Sequence, residues 1–543
     1  MGPTDHDGTR RQGPRHAKAP EHRVRRWILW ALLVVGVVIV LMVAAAGLYL
    51  WHLDSQIHRV AIKRLHATPT RGVDKGTQNI LMVGNTSRCA LKQQSTSFGL
   101  CSEGVTGVNS DVVMILHLDP ANHTVSVISI PRDLFIPNAR TTGANKIDAA
   151  LAQGPSQLVD AVQDDFGIPI QHYVELNFDS FAGVVDALGG VSMYFPEPVY
   201  DQKTGLNIAS PGCVHLDGFQ ALALVRAREL QYKPPSVTTS DPTYWPYDPQ
   251  SDLSRIRRDH EFLRVLASAV SAKGLGDPFT DRSLLAAVAP QLQVDSSFSI
   301  GSMLSLVLTF HGVSIYSAPQ LTLPVSVDGS LHYYYQGYDY GNIEFPAEPL
   351  DSQVIDQALG VSATTNTMTG GALPASRTVT VSVLNGTGAD NAAFYTAQSL
   401  KQLGFSISGI GDSPPVGQPA ETVVYYAHRT AADEAAAQAV ARRLSGAVVM
   451  AVGPTSNGAQ VTVVTGSNYQ VDPPAPAAAG TSSGHPHATT TPSTTTTSSP
   501  AGAGTTTTTS PLVAQGFGTP TSAAPPLAPF DPRSCTPAGG EGP

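Results

Sequence analysis

Arg132 directly follows the apolar run "TVSVISIP", and functional groups of α/β proteins collect at such strand ends. Arg226 and Arg228, in "LVRAR", close a helical stretch, and Arg255 and Arg258 lie three apart, on one face, near the start of another. Guanidinium forks pair with phosphate oxygens two at a time, so arginines at several element ends suit a phosphate or diphosphate clamp. Each also has a plainer reading. Arg132 beside Asp133 makes an ordinary ion pair, and Arg226 and Arg228 complement a helix C-terminus. Asp111 opens a strand in "VNSDVVMI", where it either caps the strand or holds a hard cation. Mg2+ takes one or two carboxylates and completes its shell with phosphate and water. Lys146, ahead of "IDAAL", is a further cation or a surface-loop lysine.

The elements that position these residues fall between about Gly76 and Leu350. "NILMVG" (Asn79–Gly84) reads as a buried strand, and "DVVMILHLDP" and "TVSVISIP" read as two strands joined at Asp119–Asn122. A helix is expected at Ser156–Phe166 with Gly167 as its stop, then the strand "HYVELNF" and a helix at Asp179–Leu188. "VSMYFP" is another strand, followed by a helix around Gly218–Ala227. A longer helix runs from Asp252, taken as its N-cap, to Lys273; Leu253, Ile256, Leu263, Ala267 and Val270 keep its apolar period. The expected fold is α/β: a mixed central sheet flanked by helices. A smaller α/β domain is expected at 378–469, after a linker over 351–377.

Both ends of the chain differ from this body. Trp27–Trp51 holds no Asp, Glu, Lys or Arg over 25 residues, enough to cross a bilayer as a helix, which excludes a wholly cytosolic enzyme. Residues 1–26 carry seven Lys and Arg, so the N-terminus is expected in the cytoplasm and the bulk of the chain outside. With three acids those 26 residues sum to +4; the total of −9 leaves −13 for the remainder, and so acidic an exterior excludes general nucleic-acid binding. From 470 to 543 only Asp472, Asp531, Arg533 and Glu541 are charged among Thr, Pro, Ala, Ser and Gly, a tail expected to stay disordered. Cys89 and Cys101 share a polar loop and are expected to form a disulfide, Cys213 to be a buried thiol, and Cys535 to be free or intermolecular.

The blocks "NILMVG", "NSDVVMILHLDP", "SIPRDLFIP", "NKIDAAL", "HYVELNFDSFAGVVDALGGV", "CVHLDGFQALALVRAR" and "DLSRIRRDHEFLRVL" resemble, in that order, the LytR–CpsA–Psr family. The stretch opening "VTVSVLNGTG" is similar to that family's LytR C-terminal domain. The resemblance implies a membrane-anchored enzyme facing the wall. Such enzymes move a glycopolymer from a polyprenyl diphosphate carrier to a muramic acid hydroxyl of peptidoglycan, through a phosphodiester. It implies diphosphate binding by Arg132, Lys146, Arg226, Arg228 and Arg255, and Mg2+ or Mn2+ at Asp111. It also implies catalytic roles for Asp111, Arg132 and Asp252, with Asp111 or Asp252 as the base.

Three positions depart from the family pattern. Thr86 replaces a second metal-associated Asp, Asn109 replaces a diphosphate-binding Arg, and Asp259 replaces a Gln; an insert spans Glu229–Ser251. These departures keep two other readings open. One is a polyprenyl diphosphate hydrolase using the same site, and the other is a non-catalytic scaffold that binds lipid carrier or peptidoglycan.

Overall fold

The computed structural model describes residues 21–70, 75–87, 100–103, 107–249, 251–272, 286, 288–310, 313, 318–327, 331–413, 420–472 and 532–535. Residues 1–56 form one unit and the rest of the chain another. In the first, helix α1 (Glu21–Asp54) is 34 residues long and contains the whole uncharged run expected to span a membrane. At 1.5 Å rise per residue it exceeds the ~30 Å hydrocarbon thickness, and Val38 through Val43 are exposed.

The second unit is built on a mixed seven-stranded sheet. In chain order its strands begin β1 (His58–Val60), β2 (Gln78–Asn85), β3 (Ser110–Asp119) and β4 (Thr124–Ile130). The hairpin β5 (Phe135–Arg140) and β6 (Gly143–Lys146) stands apart, and β7 (His172–Leu176) returns to the sheet. Across the sheet the order is β1, Gln293–Asp295, β7, β2, β3, β4 and Gln320–Thr322. Strands β2, β3 and β4 are antiparallel neighbours, whereas β7 runs parallel to β2. Their apolar residues are buried on both faces, as continuous runs such as "VVMIL" require.

The helices start and stop where side chains satisfy their ends. Helix α2 (Pro155–Phe166) ends at Gly167, which is left-handed at φ 63°. Asn177 caps α3 (Phe178–Ala187) by accepting from the Ser180 N–H at 2.8 Å. Asp217 and Gln220 form a reciprocal capping box at the start of α4 (Gly218–Arg226). Helix α5 spans Ser251–Ala272, so Asp252 lies in its first turn; the Asp252 side chain is outside the described residues. Buried His260 of α5 meets Ser129 of β4 at 2.6 Å, fixing this helix to the sheet. Strand β8 (Val191–Phe195) pairs with Gly212–Leu216 in a small separate sheet beneath α5.

Four expectations are corrected here. The stretch 351–377, read as a linker, opens with a helix, Leu350–Leu359. Its Ile355 and Ala358, three apart on one face, enter the main core, so it is part of the folded body. Cys213 is exposed and bonded to Cys535, so the one is no buried thiol and the other is neither free nor intermolecular. In the tail, expected to be disordered, Arg533–Ser534 instead adds a strand to the edge of β8, and 473–531 and 536–543 lie outside the described residues. Adding a strand to an existing edge needs only backbone donors and acceptors, which a composition poor in apolar residues still supplies. Cys101 is disulfide-bonded, and Cys89 lies outside the described residues.

The C-terminal domain has a five-stranded sheet in the order Ser406–Asp412, Thr380–Asn385, Val461–Thr465, Thr422–Tyr426, Val448–Val452, with helices Ala392–Gln402 and Ala431–Ala441. It is docked on the main body. Val423, Val449 and Ala451 belong to the same core as β2, β3, β4 and α2. Arg429 grips Asp164 of α2 through Nε at 2.9 Å and Nη2 at 2.8 Å. Arg442 similarly holds Asp356 at 2.6 and 2.7 Å.

Candidate active site

Asp111 stands at the start of β3 and Arg132 just past the end of β4. The two strands pair Val113 with Ile130, and the same antiparallel register carried two residues on sets Asp111 opposite Arg132. Their side chains form a direct salt bridge. Arg226, the last residue of α4, approaches the other Asp111 oxygen at 4.0 Å, and its guanidinium lies 4.0 Å above the Phe178 ring. Burial alone would raise the Asp111 carboxyl, but Arg132, Arg255 and Arg226 outweigh it and hold the group below its ordinary value.

A second carboxylate organises the neighbouring cations. Asp133 accepts from Lys146 Nζ at 2.8 Å and Arg228 Nη2 at 3.3 Å, with Arg132 Nε at 3.4 Å. Burial opposes its ionisation, yet Arg132, Lys146 and Arg228 keep it below the usual carboxylate range. Thus Arg132, Lys146, Arg226, Arg228 and Arg255 are all brought to two acids that face each other across Arg132. Asp252 is the one expected catalytic or phosphate-binding residue whose side chain lies outside the described residues.

An apolar cleft runs into this cluster. Strands β2, β3 and β7 form its floor, and α3, α4 and α5 its walls, through Phe181, Val185, Leu222, Phe262 and Leu266. Its cavity volume is about 160 Å3, it opens to solvent, and Asp111, Arg226 and Asp259 line it beside the apolar side chains. The sequence does not separate these residues from ordinary core, because both are apolar at the same helical and strand spacing.

Two further residues of the site carry weak sequence signals. Asp148, two residues after Lys146, is 7% exposed and accepts from Asn109 Nδ2 at 3.3 Å. Burial, with Asp133 and Asp111 nearby, pushes its carboxyl up to about 6, against the opposing charges of Arg132 and Lys146. Arg258, paired with Arg255 by spacing, does not join the cluster's open face but lies fully buried. It binds Asp248 at 3.2 Å and donates to the carbonyl of Ala227, the residue between Arg226 and Arg228. The insert Glu229–Ser251 therefore supplies, in Asp248, an anchor for the residue that holds the arginine pair.

Thr86 and Asn109, the two departures that bear on metal and phosphate, touch each other. The Asn109 N–H donates to Thr86 Oγ1 at 3.0 Å, and the Thr86 N–H to the Asn109 carbonyl at 2.9 Å. Among the described residues no three His, Cys, Asp or Glu side chains converge as a metal cage. Asp111 can still serve a divalent cation whose remaining ligands are phosphate oxygens and water, the usual Mg2+ arrangement.

Residues 53–346 match the sequence profile of the LytR_cpsA_psr family, which is more than half of the chain. The chain belongs to the LytR–CpsA–Psr family. Residues 378–469 match a second profile, described as LytR cell envelope-related transcriptional attenuator. Relatives of this LytR–CpsA–Psr protein include the probable cell wall biosynthesis protein LcpB of Corynebacterium glutamicum. The two are 30% identical over 337 residues, 61% of this chain and 71% of LcpB. The cell wall biosynthesis protein LcpA of the same organism is 27% identical over 457 residues, 74% of this chain and 79% of its own. The polyisoprenyl-teichoic acid–peptidoglycan teichoic acid transferase TagU of Bacillus anthracis is 27% identical over 258 residues, 47% of this chain and 75% of TagU. Among solved structures, the LytR-Csp2A-Psr enzyme from Actinomyces oris is 24% identical, with a TM-score of 0.41 over 56% of this chain and 97% of that one.

Proposed function

We propose that the chain is a cell-wall glycopolymer–peptidoglycan ligase of the phosphotransferase type, anchored by α1 with its N-terminus in the cytoplasm. One observation carries this reading: the apolar cleft and the guanidinium cluster share Asp111 and Arg226, so a single ligand with a long apolar tail and a diphosphate head fits both. A polyprenyl diphosphate-linked glycan has that construction. Family membership and the TagU relative's name support the same substrate class.

In this reading Arg132, Arg226, Arg228, Arg255 and Lys146 grip the diphosphate oxygens. A peptidoglycan muramic acid hydroxyl attacks the glycan-side phosphorus. A new O–P bond forms there, the bond to the bridging oxygen breaks, and polyprenyl phosphate leaves carrying that oxygen. Negative charge grows on the departing phosphate during the step, and preplaced guanidinium groups stabilise it without reorganising. The hydroxyl proton passes to a carboxylate, Asp111 or Asp252 in this reading. Mg2+, or Mn2+, held by Asp111 and the phosphates would add further charge neutralisation.

The test is binding of a polyprenyl diphosphate and of an uncharged polyprenol to the wild type and to R132A/R226A. The reading predicts that the double variant loses diphosphate affinity while keeping its weak affinity for the alcohol. Equal diphosphate affinity in the two proteins would contradict it.

A further inference from the structure

Residues 331–342, "LHYYYQGYDYGN", form a hairpin whose rings divide between two faces. Tyr334–Tyr335 pairs with Tyr338–Asp339 around a two-residue turn, Gln336–Gly337. Both turn residues have positive φ, 49° and 82°, the backbone that a hairpin of this length demands and glycine adopts readily. On the inner face, Tyr333, Tyr335 and Tyr340 meet the Phe135 ring edge-on, at centroid distances of 5.3, 5.5 and 5.0 Å. On the outer face stand His332, Tyr334 and Asp339. Tyr334 is 58% exposed and His332 meets Asp339 at 2.7 Å, whereas Tyr338 at the tip, though exposed, pairs with Tyr335 and shares its face.

The hairpin is tied to the chain beside Asp133. Its base rests on Phe135, two residues beyond Asp133, and the chain leaving it bonds back through the Glu344 N–H to the Asp133 carbonyl at 3.0 Å. Preformed aromatic surface binds without a large ordering penalty. We propose that this outer face is a subsite for the neutral sugar strand of the acceptor. Tyr334 stacks on the C–H face of a pyranose ring, and the His332–Asp339 pair bonds the ring hydroxyls. The Asp339 carboxylate, bonded to His332, the Gly341 N–H and the Tyr334 hydroxyl, keeps one acceptor site of about four, and its charge disfavours a phosphate-rich polymer on this face. The arginine cluster is the opposite case. The molecule thus sorts its two substrates by charge, the anionic donor to the arginines and the neutral sugar strand to the Tyr334 face. This inference rests on the ligase reading for the identity of the acceptor.

The experiment titrates full-length protein in detergent with chitotetraose, a neutral β-1,4-linked N-acetylglucosamine tetramer, and measures transfer kinetics in parallel. Tyr334→Ala is expected to weaken chitotetraose binding about tenfold, as truncating an aromatic anchor does. Tyr334→Trp is expected to restore it. The acceptor KM should rise by a similar factor, with donor KM and kcat unchanged. Unaltered melting temperatures check that the variants are folded. No binding by the wild type, or equal binding by Tyr334→Ala, overturns the inference; a protein partner would then be the occupant. If R132A alone abolishes transfer and the tyrosine variants change nothing, the ligase stands and the subsite falls. If the wild type transfers nothing yet binds the sugar through Tyr334, the subsite stands and the ligase falls.

Discussion

Asp111 and Arg132 are opposite each other because β3 and β4 are antiparallel in a register that pairs Val113 with Ile130. The salt bridge between them is the hinge of the site. It links the acid that faces the cleft to the arginine that also touches Asp133, and through Asp133 to Lys146 and Arg228.

Arg258 positions the Arg226–Arg228 segment without reaching the cleft. Replacing it with Met leaves Asp248 buried without its main partner and frees the Ala227 carbonyl. Breaking a buried pair in this way costs about 3–5 kcal/mol. We expect a lower unfolding midpoint in urea, and in the surviving folded protein a reduced kcat. Asp248→Ala should reproduce the stability loss.

Asp148 gives a pH dependence whose sign follows from its position. Its carboxyl titrates near 6 in the fold, against an ordinary value of 3.8. Between those values the folded state binds the extra proton, so stability is full below about pH 3.8, falls as pH rises and is lowest above about 6. The shift corresponds to roughly 2–3 kcal/mol. Asp148→Asn should match the wild type near pH 4 and exceed it above pH 6 by about that amount. Chemical denaturation at pH 4, 5, 6 and 7 measures the difference; parallel curves for the two proteins would refute the assignment.

Asp164 ties the C-terminal domain to the body, since its fully buried carboxylate accepts from both Arg429 and Arg64. Both arginines are partly exposed, so their loss of a partner is softened by water. Asp164→Ala should cost roughly 2–3 kcal/mol. Hydrogen exchange should quicken in α2 and in Thr422–Tyr426 together, while β2 and β3 stay protected. Unchanged exchange in Thr422–Tyr426 would show that the apolar contact alone holds the domain.

Much of this arrangement is legible in the sequence, for identifiable reasons. Arg132 follows an apolar run and Arg226 ends a capped helix, so local pattern alone sets both at element ends. Which arginines converge depends on strand register and helix docking, and spacing misplaces Arg258 with Arg255. Asp148 is hidden because a buried acid with a single amide partner has no local pattern. The cleft walls read as core, because Phe262 and Leu266 keep the period that a packed helix would keep. The tail misleads for another reason: composition reports on core formation, and neither an added edge strand nor the Cys213–Cys535 disulfide requires one.

The most direct measurement follows labelled glycan from a polyprenyl diphosphate carrier to peptidoglycan fragments, using the full-length chain in detergent with Mg2+ present. R132A serves as the comparison. The account predicts that label reaches the acceptor through a phosphodiester and that R132A is slower by about 10²–10³, the usual effect of removing one preplaced charge-stabilising donor. Binding of the carrier without any transfer, or equal transfer by R132A, would contradict it.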